Sequence, residues 1–125
     1  MQTVLVVDDE LNIRHMLRVM LEMSGFKVLE ASDGVQALET AVEAKPDIIM
    51  LDIMMPKLDG YSVCKQLREN DDVKHIPVLM MSGDNATRQH QLEYEACADQ
   101  FLRKPFQFDQ LLAHVNHLLK TPAQV

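Results

Sequence analysis

A chain of 125 residues with 47% hydrophobic and 25% charged side chains fits one ordinary globular domain, long enough to bury about two-thirds of its unfolded surface without staples. Its net charge of −7 repels phosphate backbones, which speaks against direct nucleic-acid binding, and it favours cations. The two cysteines, Cys64 and Cys97, form no CxxC pair and are expected to be small apolar side chains in a reducing cytoplasm, not metal ligands; no apolar run approaches the roughly 20 residues of a membrane span, and no signal-type leader opens the chain.

Thr3-Val4-Leu5-Val6-Val7 is a β-branched run, apolar on both faces, that ends in Asp8-Asp9-Glu10. It predicts a buried strand delivering carboxylates to its end. Residues 11–23 carry Ile13, Met16, Leu17, Met20 and Leu21 at helical spacing, and Ser24-Gly25 stops them. The methionines are expected as core filler. Residues 26–31 predict a more polar strand; Lys27 and Glu30 would be costly inside a parallel sheet, so this strand belongs at an edge.

Ser32-Asp33-Gly34 opens a predicted helix over 34–44, with Val35, Leu38, Ala41 and Val42 inward, and Lys45-Pro46 ends it. Ile48-Ile49-Met50-Leu51 then runs straight into Asp52. That is a short buried strand whose end carries an acid, at the sheet edge where ligands bind in open α/β folds. On this stretch alone, Asp52 could equally be polar punctuation. A loop with Pro56 and Gly60 leads to a helix over 61–70 with Val63, Cys64 and Leu67 on one face. A third buried strand is predicted over 76–82, with its proline near the start, ending in Ser82. A weakly patterned helix is expected over 85–96. A second edge-like strand over 99–103 leads to Lys104-Pro105. An amphipathic helix over 108–120 closes the domain, with Phe108, Leu111, Leu112, Val115, Leu118 and Leu119 on its apolar side. Residues 1–120 form the domain, and 121–125 are a tail or linker stump.

Five strands alternating with five helices imply an α/β, doubly wound (βα)5 parallel sheet with helices on both faces. Three apolar strands and two polar ones fit the order 2-1-3-4-5, the flavodoxin-like arrangement. All carboxyl ends then share one side, with adjacent strands about 4.8 Å apart. Four of the five strands end in functional groups there: Asp8 with Asp9, Asp52, Ser82 and Lys104. Clustered carboxylates repel one another, and a cation or Lys104 can offset this. Hard oxygen ligands without paired His or Cys select Mg²⁺ or a similar ion. An acid, a divalent ion, a lysine and a hydroxyl together describe a phosphoryl site, and Asp can act as the nucleophile.

The segments Val6-Val7-Asp8-Asp9-Glu10, Leu51-Asp52-Ile53-Met54-Met55-Pro56 with Asp59-Gly60, Met81-Ser82-Gly83 and Lys104-Pro105-Phe106 together resemble the receiver domain of two-component response regulators, over about residues 3–119. The resemblance implies that Asp52 is the phosphoacceptor. It implies that Asp9 binds Mg²⁺ directly and Asp8 largely through water, with the backbone carbonyl of Met54 completing the metal shell. It further implies that Lys104 pairs with the carboxylate and then the phosphoryl group, that its bond to Pro105 is cis, and that Ser82 hydrogen-bonds a phosphoryl oxygen. Phe101 matches the switch aromatic, with plain core packing as the alternative.

The phosphate donor implied is a histidine kinase or phosphotransfer protein. The output implied is a changed surface on the fourth helix, fifth strand and fifth helix, read by a downstream partner or effector, a phosphorylation-dependent homodimer through that face included. Such a domain is cytoplasmic, binds no membrane and is no enzyme beyond its own phosphorylation and dephosphorylation. Cys97 stands where the family usually has Gly. Met54, two residues past Asp52, is a poor hydrogen-bonding partner for an attacking water, so slow dephosphorylation is expected. The rival readings are a dehalogenase-like phosphohydrolase and a flavin binder. The first would want its nucleophile in a DxD pattern after the first strand, and the second would want hydroxyls and amides there.

Overall fold

The computed structural model describes residues 2–55, 58–83 and 97–120. Its centre is one five-stranded parallel sheet in the order β2-β1-β3-β4-β5: β1 Thr3–Val7, β2 Lys27–Ala31, β3 Ile48–Asp52, β4 Val78–Ser82 and β5 Gln100–Arg103. Four helices accompany it among the described residues: α1 Leu11–Met23, α2 Gly34–Ala44, α3 Gly60–Glu69 and a C-terminal helix, Phe108–Lys120. The predicted helix over 85–96, Pro56 and the tail over 121–125 lie outside the described residues. No described helix is long and apolar enough to cross a membrane.

The sheet has two cores because strand side chains alternate between its faces. Leu5, Val7, Ile49, Leu51 and Met80 pack on one side with α2 and α3. Val4, Val6, Ile48, Met50, Leu79 and Met81 pack on the other with α1 and the C-terminal helix. β3 and β4 are buried at every position, which is why they read as unbroken apolar runs. The polar strand β2 lies at the sheet edge as expected. Its Glu30 accepts from Arg14 Nε at 3.0 Å and from Arg18 at 2.8 Å, and these bonds, that from Arg18 foremost, hold its carboxyl below the usual range.

Three expectations need correction. On α2 the inward residues are Gly34, Ala37 and Ala41, with Leu38 packed beside them, while Val35 and Val42 are 48% and 40% exposed. Small residues win the inner face because α2 lies close to the start of α3: a Cβ on Gly34 would sit 2.4 Å from the Leu58 carbonyl oxygen. Among the methionines, Met50, Met80 and Met81 are core, but Met16, Met23 and Met54 are exposed. Finally, Cys64 and Cys97 are not independent apolar side chains; they are joined as a disulfide. Cys64 faces inward from α3 and Cys97 precedes β5, so the fold brings together two residues 33 apart in sequence, with Cα atoms separated by 6.2 Å.

Gly60 begins α3 beneath the end of β3. An added Cβ would lie 2.5 Å from the Asp52 carbonyl oxygen and 2.8 Å from Ile53 Cα, both rigid backbone atoms. Gly60→Ala must therefore push α3 away from the strand. We expect it to lower unfolding free energy by about 1–3 kcal/mol in urea titration; an unchanged midpoint would show that the helix moves without cost.

Candidate functional site

The sheet order decides which side chains meet. β1 and β3 are neighbours, with Val7 opposite Leu51, so Asp8 and Asp9 emerge beside Asp52. β4 lies on the other side of β3, with Asp52 opposite Met81. β5 then adds Arg103 opposite Ser82, and the Lys104 backbone N–H donates to the Ser82 carbonyl at 2.6 Å. The bond from Lys104 to Pro105 is cis, as expected.

Lys104 reaches back across this edge. Its Nζ lies 2.9 Å from Asp8 Oδ2 and 3.4 Å from Asp52 Oδ2. Asp8 is fully buried and Asp52 is 5% exposed, while Asp9 faces solvent. Asp8 is held on several sides: its Oδ1 accepts from the Glu10 backbone at 2.9 Å, and its carbonyl accepts from Arg14 at 2.8 Å. Asp52 Oδ1 accepts from the Met54 backbone N–H at 3.3 Å, and the Met54 side chain points outward, 55% exposed. Ser82 is buried at the same edge. Its hydroxyl donates to the Gly83 carbonyl at 3.3 Å, not to the Asp52 carboxylate.

Burial dominates the electrostatics of Asp52. Loss of solvent pushes its carboxyl up to about 6; the Lys104 charge opposes this, Asp8 adds to it, and the Met54 hydrogen bond opposes it. For Lys104, burial works against the charged form, but the Asp8 hydrogen bond and the Asp52 and Asp8 charges outweigh it, so its ammonium is held above the ordinary value.

One carboxylate oxygen from each of Asp8, Asp9 and Asp52 lies within 4.8 Å of the others. Three hard anionic oxygens, two buried and one open to solvent, fit a divalent cation that keeps part of its water shell. They do not fit a soft or nitrogen-preferring metal.

Asp8, Asp9, Asp52, Lys104 and the Met54 backbone therefore meet at one edge. Ser82 shares that edge without touching the carboxylates. Phe101 stands apart, half-buried on β5 opposite Met80 and packed on the α2–α3 side. Sequence reasoning missed Arg14, which ties the Asp8 backbone to Glu30. A helical residue six after Asp8 carries no motif, and only the charge of Glu30 on an edge strand hinted at it.

Because its native pKa is raised, metal-free Asp52 favours the folded state fully below about pH 4, and this contribution is lost as pH rises through about 6. A shift of this size corresponds to about 3 kcal/mol at most. In chelator at pH 7.5, Asp52→Asn should thus be more stable than the parent by up to about 3 kcal/mol, with the gap closing toward pH 4. Denaturant curves at the two pH values check this; equal stability throughout would mean that ionised Asp52 carries no burial penalty.

The sequence profile of the response regulator receiver domain matches residues 4–116. The DNA-binding dual master transcriptional regulator RpaA of Synechocystis sp. is 38% identical over 120 residues, covering 96% of this chain and 50% of that protein. The response regulator MprA of Mycobacterium ulcerans is 41% identical over 117 residues, 94% of this chain and 50% of the relative. The chain thus spans about half the length of the curated relatives it matches. Among solved structures, the chemotaxis response regulator CheY4 of Vibrio cholerae superposes with a TM-score of 0.87 at 34% identity, over 95% of this chain and 99% of that one. The receiver domain of the sensor histidine kinase PA1611 from Pseudomonas aeruginosa, solved with a magnesium ion coordinated in its active site cleft, superposes with a TM-score of 0.87 at 25% identity, over 94% and 97% of the two chains. Profile, relatives and flavodoxin-like fold agree: the chain belongs to the response regulator receiver domain family.

Proposed function

We propose that this domain accepts a single phosphoryl group on Asp52 from a histidine kinase or phosphotransfer protein, with Mg²⁺, and that the phosphate resets a surface read by a partner. The observation that carries this reading is the Lys104 ammonium, 2.9 Å from Asp8 and 3.4 Å from Asp52 at an edge that also gathers three carboxylates.

Asp52 is the nucleophile. At neutral pH a carboxyl with a pKa of about 6 is mostly ionised, and desolvation leaves its oxygens poorly hydrated. One Asp52 oxygen attacks phosphorus as the bond from phosphorus to the donor imidazole nitrogen breaks, the electron pair leaving with the imidazole. Asp8, Asp9 and Asp52, with the Met54 carbonyl, would hold Mg²⁺, as the PA1611 receiver holds its ion in the active site cleft. A bound ion there would supply charge neutralisation on the phosphoryl oxygens. Lys104 stays with Asp8 and follows the new negative charge outward from the carboxylate to the phosphate. Ser82 gives up its bond to the Gly83 carbonyl and donates to a phosphoryl oxygen.

The readout follows from the β4–β5 pairing. Movement at Ser82 opens space along β4, and Phe101, opposite Met80, turns into it. The face of β5 and the C-terminal helix changes shape for a partner, an attached effector or a second copy. The domain is a cytoplasmic switch and not an enzyme with external turnover, and its net charge of −7 argues that any nucleic-acid contact belongs to another domain.

Two experiments test this. Intact mass after treatment with Mg²⁺ and acetyl phosphate should show one added phosphate on the parent and none on Asp52→Asn; turnover of phosphomonoesters without a covalent adduct would instead favour a phosphohydrolase. Phe101→Ala should keep phosphorylation but narrow the difference in partner affinity between the two states by about tenfold, or 1.4 kcal/mol. An undiminished difference would assign Phe101 to core packing alone.

A further inference from the structure

We propose that Cys64 and Cys97 form a reversible thiol–disulfide pair that controls how far phosphorylation can rearrange the β5 edge. This rests on the receiver reading for its consequence, though not for the chemistry of the pair itself.

The position of the bridge is the first argument. Cys64 lies one helical turn after Gly60 on α3, the residue packed against the Asp52 backbone. Cys97 lies four residues before Phe101 and seven before Lys104. A bond between them ties the helix beneath the phosphoacceptor to the strand that bears the aromatic and leads to the lysine. These are the only two cysteines in the chain, so no competing partner exists within it.

That bond is not the sole attachment of its segment. Arg68, one turn further along α3, donates from Nε to the Cys97 carbonyl at 3.1 Å and from its other nitrogens to the Lys74 and Ile76 carbonyls and Asp99 Oδ2. Asp99 in turn accepts from the Val78 backbone at 2.8 Å and donates its own N–H to the Val78 carbonyl at 3.0 Å. These bonds hold residues 97–99 whether or not the sulfurs are joined. Two thiols would remain small apolar groups in the same packed cluster. The bridge is therefore an added tether, the kind that can open and close in a folded domain. In a reducing compartment such a bridge is transient and redox-sensing more often than structural.

Access is asymmetric. Cys64 is fully buried, and Cys97 is partly exposed. The Cys97 thiolate attacks one sulfur of a small-molecule disulfide, forming a mixed disulfide and releasing one thiolate. The Cys64 thiolate then attacks the Cys97 sulfur and expels the second thiolate. Two electrons pass to the small-molecule disulfide, the two protons end on its released thiols, and excess dithiol runs the exchange backward. Closed, the pair adds a covalent tether from α3 to the segment that leads into β5; open, only the hydrogen bonds of Arg68 and Asp99 remain there, and β5 has more freedom to follow Phe101.

The test uses the full chain in buffers of graded glutathione disulfide to glutathione ratio, with acid quench, thiol alkylation and intact mass. Two alkylated cysteines at the reducing end and none at the oxidising end are expected, with full reversal. A pair that stays alkylatable throughout, or that resists reduction while folded, overturns the proposal. Hydrogen exchange over residues 97–103 is then compared before and after acetyl phosphate treatment in each redox form. The phosphorylation-dependent change should be about threefold or more smaller in the disulfide form. Cys97→Ser, or Cys64→Ser if the first misfolds, should respond like the reduced parent in every buffer. Equal responses of both redox forms would refute the coupling. Failure of Asp52 to take phosphate in either form would overturn the receiver reading while the thiol titration still reports on the pair.

Discussion

Lys104 places one ammonium between two carboxylates that the fold has taken out of water, at 2.9 Å from Asp8 and 3.4 Å from Asp52. Like charges within 4.8 Å of one another repel by on the order of 3–4 kcal/mol at an effective dielectric near 20. Burial adds to that, because each ion has lost hydration. The lysine relieves Asp8 more than Asp52. Asp8 also has the Glu10 backbone donor, whereas among the described residues Asp52 keeps only a long bond from Met54 beside a shared cation. The site is thus left with one under-compensated anion, and that anion is Asp52. An arrangement built only for stability would have paired it fully or removed it. Such an imbalance favours the approach of a cation.

The geometry that maintains the imbalance is backbone geometry. Asp8 and Asp52 are adjacent because β1 and β3 are neighbours in the sheet, and their parallel pairing puts both carboxyl ends on the same side. Gly60 lets α3 close against the end of β3, which buries Asp52 without a side chain intervening. Arg14 fixes the carbonyl of Asp8 from the helix that follows it, and Glu30 on the edge strand steadies Arg14. Each of these contacts reduces the freedom of a charged group that would otherwise turn toward solvent, so the raised Asp52 pKa is a property of the whole sheet edge.

Much of this was legible in the sequence because a parallel sheet writes its strands as apolar runs and its site at their ends. Thr3–Val7, Ile48–Asp52 and Val78–Ser82 announce both. Placement of β2 at an edge followed from Lys27 and Glu30 alone. What escaped was information that exists only between elements. The inward face of α2 was misread in part because helical periodicity ranks residues by hydropathy, whereas close approach to α3 selects them by size and puts Gly34 and Ala37 ahead of Val35 and Val42. The disulfide escaped because 33 residues separate its partners, and spacing signals only pairs that share one local motif. Ser82 was placed correctly along the chain, but its hydroxyl direction is a rotamer, set by the Gly83 carbonyl beside it.

The same pairing that assembles the site also links it to the edge of the sheet. Lys104 donates its backbone N–H to the Ser82 carbonyl at 2.6 Å, and β5 lies in register with β4 from Gln100 opposite Leu79 to Arg103 opposite Ser82. Lys104, Ser82 and Phe101 therefore belong to one hydrogen-bonded ribbon. A ribbon of this kind transmits a displacement at its carboxyl end along its length only if its other edge can yield. β5 is the outermost strand, with no strand beyond it in the described sheet, so its free edge can yield. The terminal position of β5 in the sheet order leaves it paired on one side only, so it is the strand next to the site that can shift at the least cost in ladder hydrogen bonds.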